Sequence, residues 1–266
     1  MSTSKKTVEK SEQGLPLFYE KPVPLTPERH KDYSLKEISS FEMAKNASSV
    51  MLNAIEFSTA VRHYPIVFAG KDDNLIPVCV LGLKNDANLF VDESGHWETN
   101  FYIPSYLRRY PFIFMENPNQ DQLILCLDEK SDLLVKSDVR PLFDSEGNRS
   151  TVTEEALKFC SAFQNEFDKT KVFMRELVAK DLLIPHHANI QTKTNEKFSV
   201  GGFKVIDEKK FNELPDDVFL EWRKSGFIGL VYCHLISMGN WHNLVTRAMK
   251  KQNQASSGGQ KEKVLN

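Results

Sequence analysis

Apolar positions along the chain follow two periods, and the change between them divides it. Before residue 150 they come in short runs, among them Val67-Phe68, Val78-Cys79-Val80-Leu81, Leu89-Phe90-Val91, Phe112-Ile113-Phe114-Met115 and Leu123-Ile124-Leu125-Cys126-Leu127. These runs are rich in β-branched and aromatic residues and bounded by Gly, Asp and Asn. They predict strands, joined by turns at Gly70-Lys71-Asp72-Asp73 and Asp92-Glu93-Ser94-Gly95. The connections are too short for crossovers, which favours antiparallel pairing. One stretch differs: Val50, Ala54, Phe57, Ala60 and Val61 recur at nearly helical spacing and predict a helix over 44–61.

After Gly147 the helical period takes over. Thr151 with Glu154 three residues on reads as a capping box. The stripe Ala156, Cys160, Phe163, Phe167, Met174 and Leu177 then predicts a long amphipathic helix that ends before Pro185. A polar loop is expected over 186–195 and a strand over 198–206. Asp207 would cap a short helix carrying Phe211 and Leu214, and a helix over 216–223 would stop at Gly226. The last helix, 227–249, has one apolar face and a weak point at Gly239.

One segment is used twice. Val61-Arg62-His63-Tyr64-Pro65-Ile66-Val67-Phe68 returns as Leu107-Arg108-Arg109-Tyr110-Pro111-Phe112-Ile113-Phe114, 46 positions on, and each copy leads to a second apolar run. The resulting expectation is an α+β fold. In it, one antiparallel sheet is built from two duplicated helix-to-hairpin units and packs with a helical C-terminal half. Residues 1–13 and 250–266 are polar and read as disordered tails. Residues 14–249 form a single domain, β-rich over 14–150 and mainly helical over 151–249. The proline-rich Leu15-Pro16-Leu17-Phe18-Tyr19 and Pro22-Val23-Pro24-Leu25 must be extended, and are expected to lie across the body, pinned by Phe18 and Tyr19.

Composition then narrows the classes. The 266 residues, 41 % hydrophobic, can bury a substantial core. With 34 basic and 36 acidic residues the formal charge is −2, without the clustered basic excess of a nucleic-acid binder. No apolar run approaches the roughly 18–20 residues needed to span a bilayer. The polar start Met1-Ser2-Thr3-Ser4-Lys5-Lys6 is no apolar signal core, so the expected location is cytoplasmic. Cys79, Cys126, Cys160 and Cys233 sit in apolar segments without metal-ligand spacing and read as buried, reduced thiols.

Phosphate loops, nucleophile elbows and H-E-x-x-H zinc signatures do not occur, and no metal or cofactor is expected. His186 and His187 read as a solvated loop pair; Asp92-Glu93 and Asp128-Glu129 read as solvated carboxylates at strand ends. His234 lies on the apolar stripe of the last helix and reads as a satisfied core histidine. The duplicated corners suggest a sharper arrangement, with Arg62, Tyr64, Arg108 and Tyr110 around one concavity. Arginine recognises carboxylate or phosphate bidentately, and tyrosine adds an aromatic face with a polar tip. Trp97, with His234 or Trp241, would close the same cleft. In the competing reading each arginine only complements the dipole at its own helix C-terminus, and the tyrosines fill the core.

Taken in order, Pro16-Leu17-Phe18-Tyr19, Pro22-Val23-Pro24-Leu25, Glu28-Arg29-His30, Tyr64-Pro65-Ile66-Val67-Phe68, Asn88-Leu89-Phe90-Val91, Arg109-Tyr110-Pro111-Phe112 and Tyr232-Cys233-His234-Leu235 resemble the bacterial SapC family, over about residues 15–248. This is the family named after an S-layer-associated gene, distinct from the peptide-transport permease and the saposin that share the abbreviation. The resemblance implies a bacterial source and a link, by name, to surface-layer biology. From the gene neighbourhoods of other members it also implies a link to outer-membrane receptors and flavin-dependent halogenase-like proteins. It carries over no catalytic residues. Three readings stand. The leading one is a non-catalytic accessory or structural protein linked to bacterial surface-layer or outer-membrane systems, acting on a protein partner. The second is a module binding a small anionic or aromatic ligand in the cleft. The third is an enzyme with dispersed catalytic residues.

Overall fold

In the computed structural model, which describes residues 15–71, 74–117, 122–191 and 197–262, the strands sort into separate antiparallel sheets. The N-terminal strand β1 (Pro22–Pro24) leads through α1 (Pro27–His30) to β2 (Tyr33–Leu35), β3 (Ser49–Met51) and α2 (Phe57–Ala60). The hairpin β4 (Ile66–Ala69)–β5 (Ile76–Val80) follows, then α3 (Ser105–Arg108) and the hairpin β6 (Phe112–Glu116)–β7 (Leu123–Asp128), then β8 (Leu134–Lys136). The second half runs α4 (Thr151–Ala179), β9 (Leu183–Gln191), β10 (Lys197–Ile206), α5 (Glu208–Asn212), α6 (Asp216–Ser225), α7 (Phe227–Ser237) and α8 (Asn240–Glu262). The architecture is mixed α+β with antiparallel sheets and a helical C-terminal half.

The expectation of one sheet holding both Tyr-Pro hairpins is corrected. β4 and β5 belong to a five-stranded sheet of order β3-β5-β4-β10-β9, whereas β6 and β7 belong to a three-stranded sheet of order β1-β7-β6. The first hairpin is flanked on both edges, by β3 and β10, whereas the second is flanked only on its β7 edge, by β1, and β6 ends its sheet. Both corners do run from a one-turn helix through Tyr-Pro into a hairpin, with Phe68 and Phe114 in strands. Ile66 faces Cys79 and Phe112 faces Leu127, so the second hairpin is two residues longer, and Cys126 faces Ile113.

The predicted helix over 44–61 is also corrected. Its first part pairs as β3 with β5, and only its last turn, α2, is α-helical. Asn53 and Glu56 break the ladder. The Asn53 N–H is taken by Glu56 Oε2 at 2.8 Å, and the Ala54 N–H by Thr170 Oγ1 of α4 at 2.8 Å. Residues 89–91 make only a single bridge, Val91 to Trp97, because the Asn88 side chain captures the Phe90 N–H at 2.8 Å.

At the start of α4 the cap is Ser150, not Thr151: its hydroxyl accepts from the Thr153 N–H. With 29 residues α4 is about 43 Å long, and it serves two cores. Val152 and Cys160 pack with Phe112, Leu127 and Phe143, whereas Phe163, Phe173 and Leu177 join the main core around Tyr64, Phe68 and Phe57. The loop expected over 186–195 is strand as far as Gln191, with His186 opposite Phe203; residues 192–195 lie outside the described residues, as do Asp72 and Asp73 of the predicted turn. Asp207 caps α5 and Gly226, at φ 82°, ends α6, as expected. The last helix is broken at Gly239 into α7 and α8, and α8 continues to Glu262, past its predicted end. All of the expected tail 1–13, residue 14, and 263–266 of the expected C-terminal tail are outside the described residues.

Of the proline-rich segment, Pro22–Pro24 forms the edge strand β1, where a missing N–H costs no rung, whereas Leu15–Tyr19 turns instead of running extended, with Phe18 at φ 77° and the Tyr19 N–H bonded to the Pro16 carbonyl at 3.1 Å. Tyr19 is buried and donates to the Phe112 carbonyl at 2.7 Å. Asp128, expected on a solvated turn, is instead fully buried. Its carboxylate accepts the Glu20, Lys21 and Lys130 N–H groups at 2.8–3.1 Å and locks this segment to β7.

Helix α7 reverses the usual polarity. Its polar residues His234 and Ser237 are fully buried, while Tyr232 and Ile236 are exposed. Continuing the β4–β10 register would set Ile206 opposite Ile66. The imidazole of His234 stands between them, Nε2 accepting the Ile206 N–H at 3.1 Å and Nδ1–H donating to the Ile66 carbonyl at 2.7 Å. Ser237 Oγ accepts the Ile66 N–H at 2.9 Å. The helix supplies the rungs that the strands lack.

All four cysteines are free, with Cys79, Cys126 and Cys160 buried. Burial raises their thiol pKa values, to about 11 for Cys126 and Cys160. Native thiol labelling at pH 8 is expected to modify Cys233 quickly and the other three only on unfolding. Fast release of more than one equivalent would contradict this packing.

Candidate functional site

A concavity of about 720 Å³ lies between residues 88–101 and helix α8, beside the first Tyr-Pro corner. Its loop wall is built locally. Asp92 Oδ1 accepts the Ser94 and His96 N–H groups at 2.8 and 2.9 Å, and Gly95 turns the chain at φ 82° where a Cβ would meet Ser40 Oγ. The bridge from Val91 to Trp97 then sets Trp97 against Phe90, their ring centroids 6.2 Å apart.

The opposite wall is α8. The Arg247 guanidinium lies 4.1 Å from the Phe101 ring centroid and 4.7 Å from that of Phe90, and pairs with Glu98 at 3.1 Å. Lys251 Nζ donates to the Asn88 and Val91 carbonyls, both at 2.9 Å; burial lowers its pKa. Arg62 and Lys250 are exposed at the groove, and among the described residues no carboxylate lies within 4 Å of either. With Arg247 and Lys251 they make four cations against the carboxylates of Asp92 and Glu98. His63, also in the wall, has its pKa lowered by burial and by neighbouring Arg62. The groove thus combines cations free to pair with the aromatic walls of Trp97 and Phe101.

The sequence-predicted residues distribute as follows. Arg62 and Trp97 share this groove. Tyr64 lies fully buried, its hydroxyl bonded to the Tyr102 carbonyl and its ring 4.8 Å from Phe90, with burial holding the phenol pKa up. Arg108 and Tyr110 line a different pocket of about 350 Å³, and none of the pockets described here holds both Arg62 and Arg108. His234 is a core residue with both ring nitrogens bonded, and Trp241 stacks on Phe203 at 5.6 Å. The seven therefore do not form one cleft. The reason is the division into two sheets: Tyr64 packs in the main core, whereas Tyr110 packs against Tyr19, Ile113 and Cys126.

Arg108 enters a second polar arrangement. It donates to the Ile103 carbonyl at 3.0 Å and to Tyr102 Oη at 3.1 Å, and Tyr102 in turn donates to Glu56 Oε1 at 2.8 Å. Glu56 is buried and also accepts the Ser105 N–H at 2.8 Å and the Ser105 hydroxyl at 2.6 Å. Its carboxylate joins the turn before α2 to the first turn of α3, and so ties the two corners together. The adjoining pocket of about 260 Å³ is too small for more than a minor ligand.

Arg247, Lys250 and Lys251 were missed as site residues, the last two because they were assigned to a tail. The signal was present, since residues at i, i+3 and i+4 share one helix face. Glu56 carries no comparable signal.

A model of the SapC family matches residues 25–244, and the chain belongs to that family. Comparison with curated proteins and with solved structures gives no match.

Proposed function

We propose that this member of the SapC family is a non-catalytic accessory protein that acts by binding, and that the groove along α8 recognises a small anionic ligand with a planar, aromatic body. The observation that carries the reading is the pair Arg62 and Lys250, with no carboxylate within 4 Å among the described residues, beside the aromatic walls of Trp97 and Phe101. A guanidinium and an ammonium attract an anionic group, while the ring faces take up its flat remainder. The system it assists is a bacterial surface-layer or outer-membrane one, as the family's name and the setting of its members imply.

The test is a thermal-shift and calorimetric titration with phenyl phosphate, inorganic phosphate and benzyl alcohol at low ionic strength. Phenyl phosphate is expected to raise the melting temperature most, by linkage. The double variant Arg62→Ala, Lys250→Ala should bind it at least about tenfold more weakly, with its unliganded stability unchanged because both side chains are exposed. Equal affinity of the variant, or no shift with any of the three, would overturn the assignment. Raising the salt to about 0.5 M should weaken binding, since exposed charges are screened.

A further inference from the structure

A second concavity, of about 480 Å³, opens on the five-stranded sheet. Ile66 and Phe68 of β4 point towards α7, where Phe68 lies 4.9 Å from the His234 ring. The alternate positions Val67 and Ala69, with Val78 and Val80 of β5, make up the opposite face and floor the concavity. These floor residues are entirely aliphatic. The wall is the first half of β10, from Phe198 through Val200 to Phe203.

That wall exists because β10 bends. Its register shifts between Val200 and Phe203, with Gly202 at φ 80°. The bulge favours glycine at Gly202, whose left-handed φ side chains rarely adopt; a Cβ on Gly201 would meet only the ring of the exposed His187, 2.2 Å from Nδ1. The bend lets the strand pair with β4 at one end and line the sheet face at the other. Phe203 is held in place by stacking on Trp241.

The rim is polar and carries one sign of charge. Ser48, Ser49, Asn85 and Ser199 are neutral, and among the described residues Lys84 is the one charged residue lining the concavity. Lys84 is exposed, and among the described residues no carboxylate lies within 4 Å of it. An apolar floor that ends at an exposed ammonium is complementary to a molecule with an apolar chain and an anionic head. The volume lies within the range of roughly 300–1,000 Å³ typical of small-ligand pockets.

We infer that this open sheet face is a ligand site distinct from the groove along α8, and that it takes a small amphipathic anion, an aliphatic chain bearing a carboxylate or phosphate head. The chain lies on Val67, Val78 and Val80 under Phe198 and Phe203, and the head reaches Lys84. Such a molecule has two sources, a free acid or a lipid in a bilayer, and the two are separable by experiment.

The full chain would be titrated with decanoate, decanol and decyltrimethylammonium below their micellar concentrations. Tryptophan fluorescence, through the Trp241 stack on Phe203, and calorimetry would serve as readouts. The expected result is saturable one-to-one binding of decanoate, at least about tenfold tighter than of decanol or of the cationic amphiphile. Lys84→Glu should remove that preference while leaving decanol affinity within about twofold. Ala69→Phe, which fills the floor, should abolish binding of all three; because it sits in a strand, circular dichroism would check its fold, and the exposed Lys84→Glu stands as the independent variant. Phenyl phosphate should not compete with decanoate. Co-sedimentation with phosphatidylglycerol vesicles should be weak and lost on adding decanoate, as for a free-acid site. Absence of saturable decanoate binding would overturn the proposal, as would equal affinity for decanoate and decanol. Binding to vesicles alone would assign the face to a bilayer instead.

Discussion

Replacing Glu56 by alanine is expected to lower the unfolding free energy by about 3–4 kcal/mol. Four donors converge on this carboxylate: the Asn53 and Ser105 N–H groups and the Tyr102 and Ser105 hydroxyls, at 2.6–2.8 Å. The hydroxyls can turn to other acceptors. The two backbone donors cannot, and each stranded, buried N–H costs roughly 1–3 kcal/mol. Glu56→Gln keeps the size and one acceptor but sets an NH₂ group against existing donors, so about half the loss is expected. Urea denaturation would show the midpoint falling with an unchanged slope. A loss under about 1 kcal/mol for Glu56→Ala would mean that water entering the neighbouring pocket replaces the carboxylate. Because Glu56 spans the turn before α2 and the start of α3, both Tyr-Pro corners should gain hydrogen-exchange rates in the variant.

Acidification should destabilise the fold through His234. Burial lowers its pKa from the ordinary 6.5 to about 4, although the Ile66 carbonyl pulls the other way. The folded state holds the neutral imidazole, because Nε2 must stay unprotonated to accept the Ile206 N–H. Between pH 6.5 and 4 the unfolded chain therefore binds the extra proton. The contribution is complete above pH 6.5 and is lost as the pH falls towards 4. The difference corresponds to about 3 kcal/mol. His30 and His63, also shifted down chiefly by burial, add in the same direction. The measurement is the stability difference between the wild type and His234→Gln from pH 7 to pH 4. It should shrink by about 3 kcal/mol on acidification. A pH-independent difference would show that His234 titrates normally in the folded state.

What was legible along the chain is what neighbours in sequence decide. The stripe of α4 includes buried Cys160, Phe163, Met174 and Leu177. Asp207 caps α5 because its own carboxylate reaches the next N–H groups, and Gly226 ends α6 because glycine accepts the left-handed conformation at no steric cost. His234 read correctly as a satisfied core residue. The hairpins at both Tyr-Pro corners were also readable from short apolar runs.

The failures share one cause. Periodicity placed a helix over 44–61, but the donors of Asn53 and Ala54 are taken by Glu56 and by Thr170, the latter more than a hundred positions away. Polarity placed a loop at His186, but pairing with β10 gives that stretch its strand form. Charge at the C-terminus suggested a tail, yet Lys251 is held by the Asn88 and Val91 carbonyls. Arg62 and Arg108 occupy matching positions in two similar segments, and the segments joined different sheets. The sequence by itself determined the long helix α4, the caps of α5 and α6 and the inward place of His234, since these depend on side chains within a few residues. Only the tertiary structure decided which sheet edges met and which arginine gained an aromatic groove. Those outcomes depend on where distant donors, acceptors and strand edges are satisfied, and no local period encodes that.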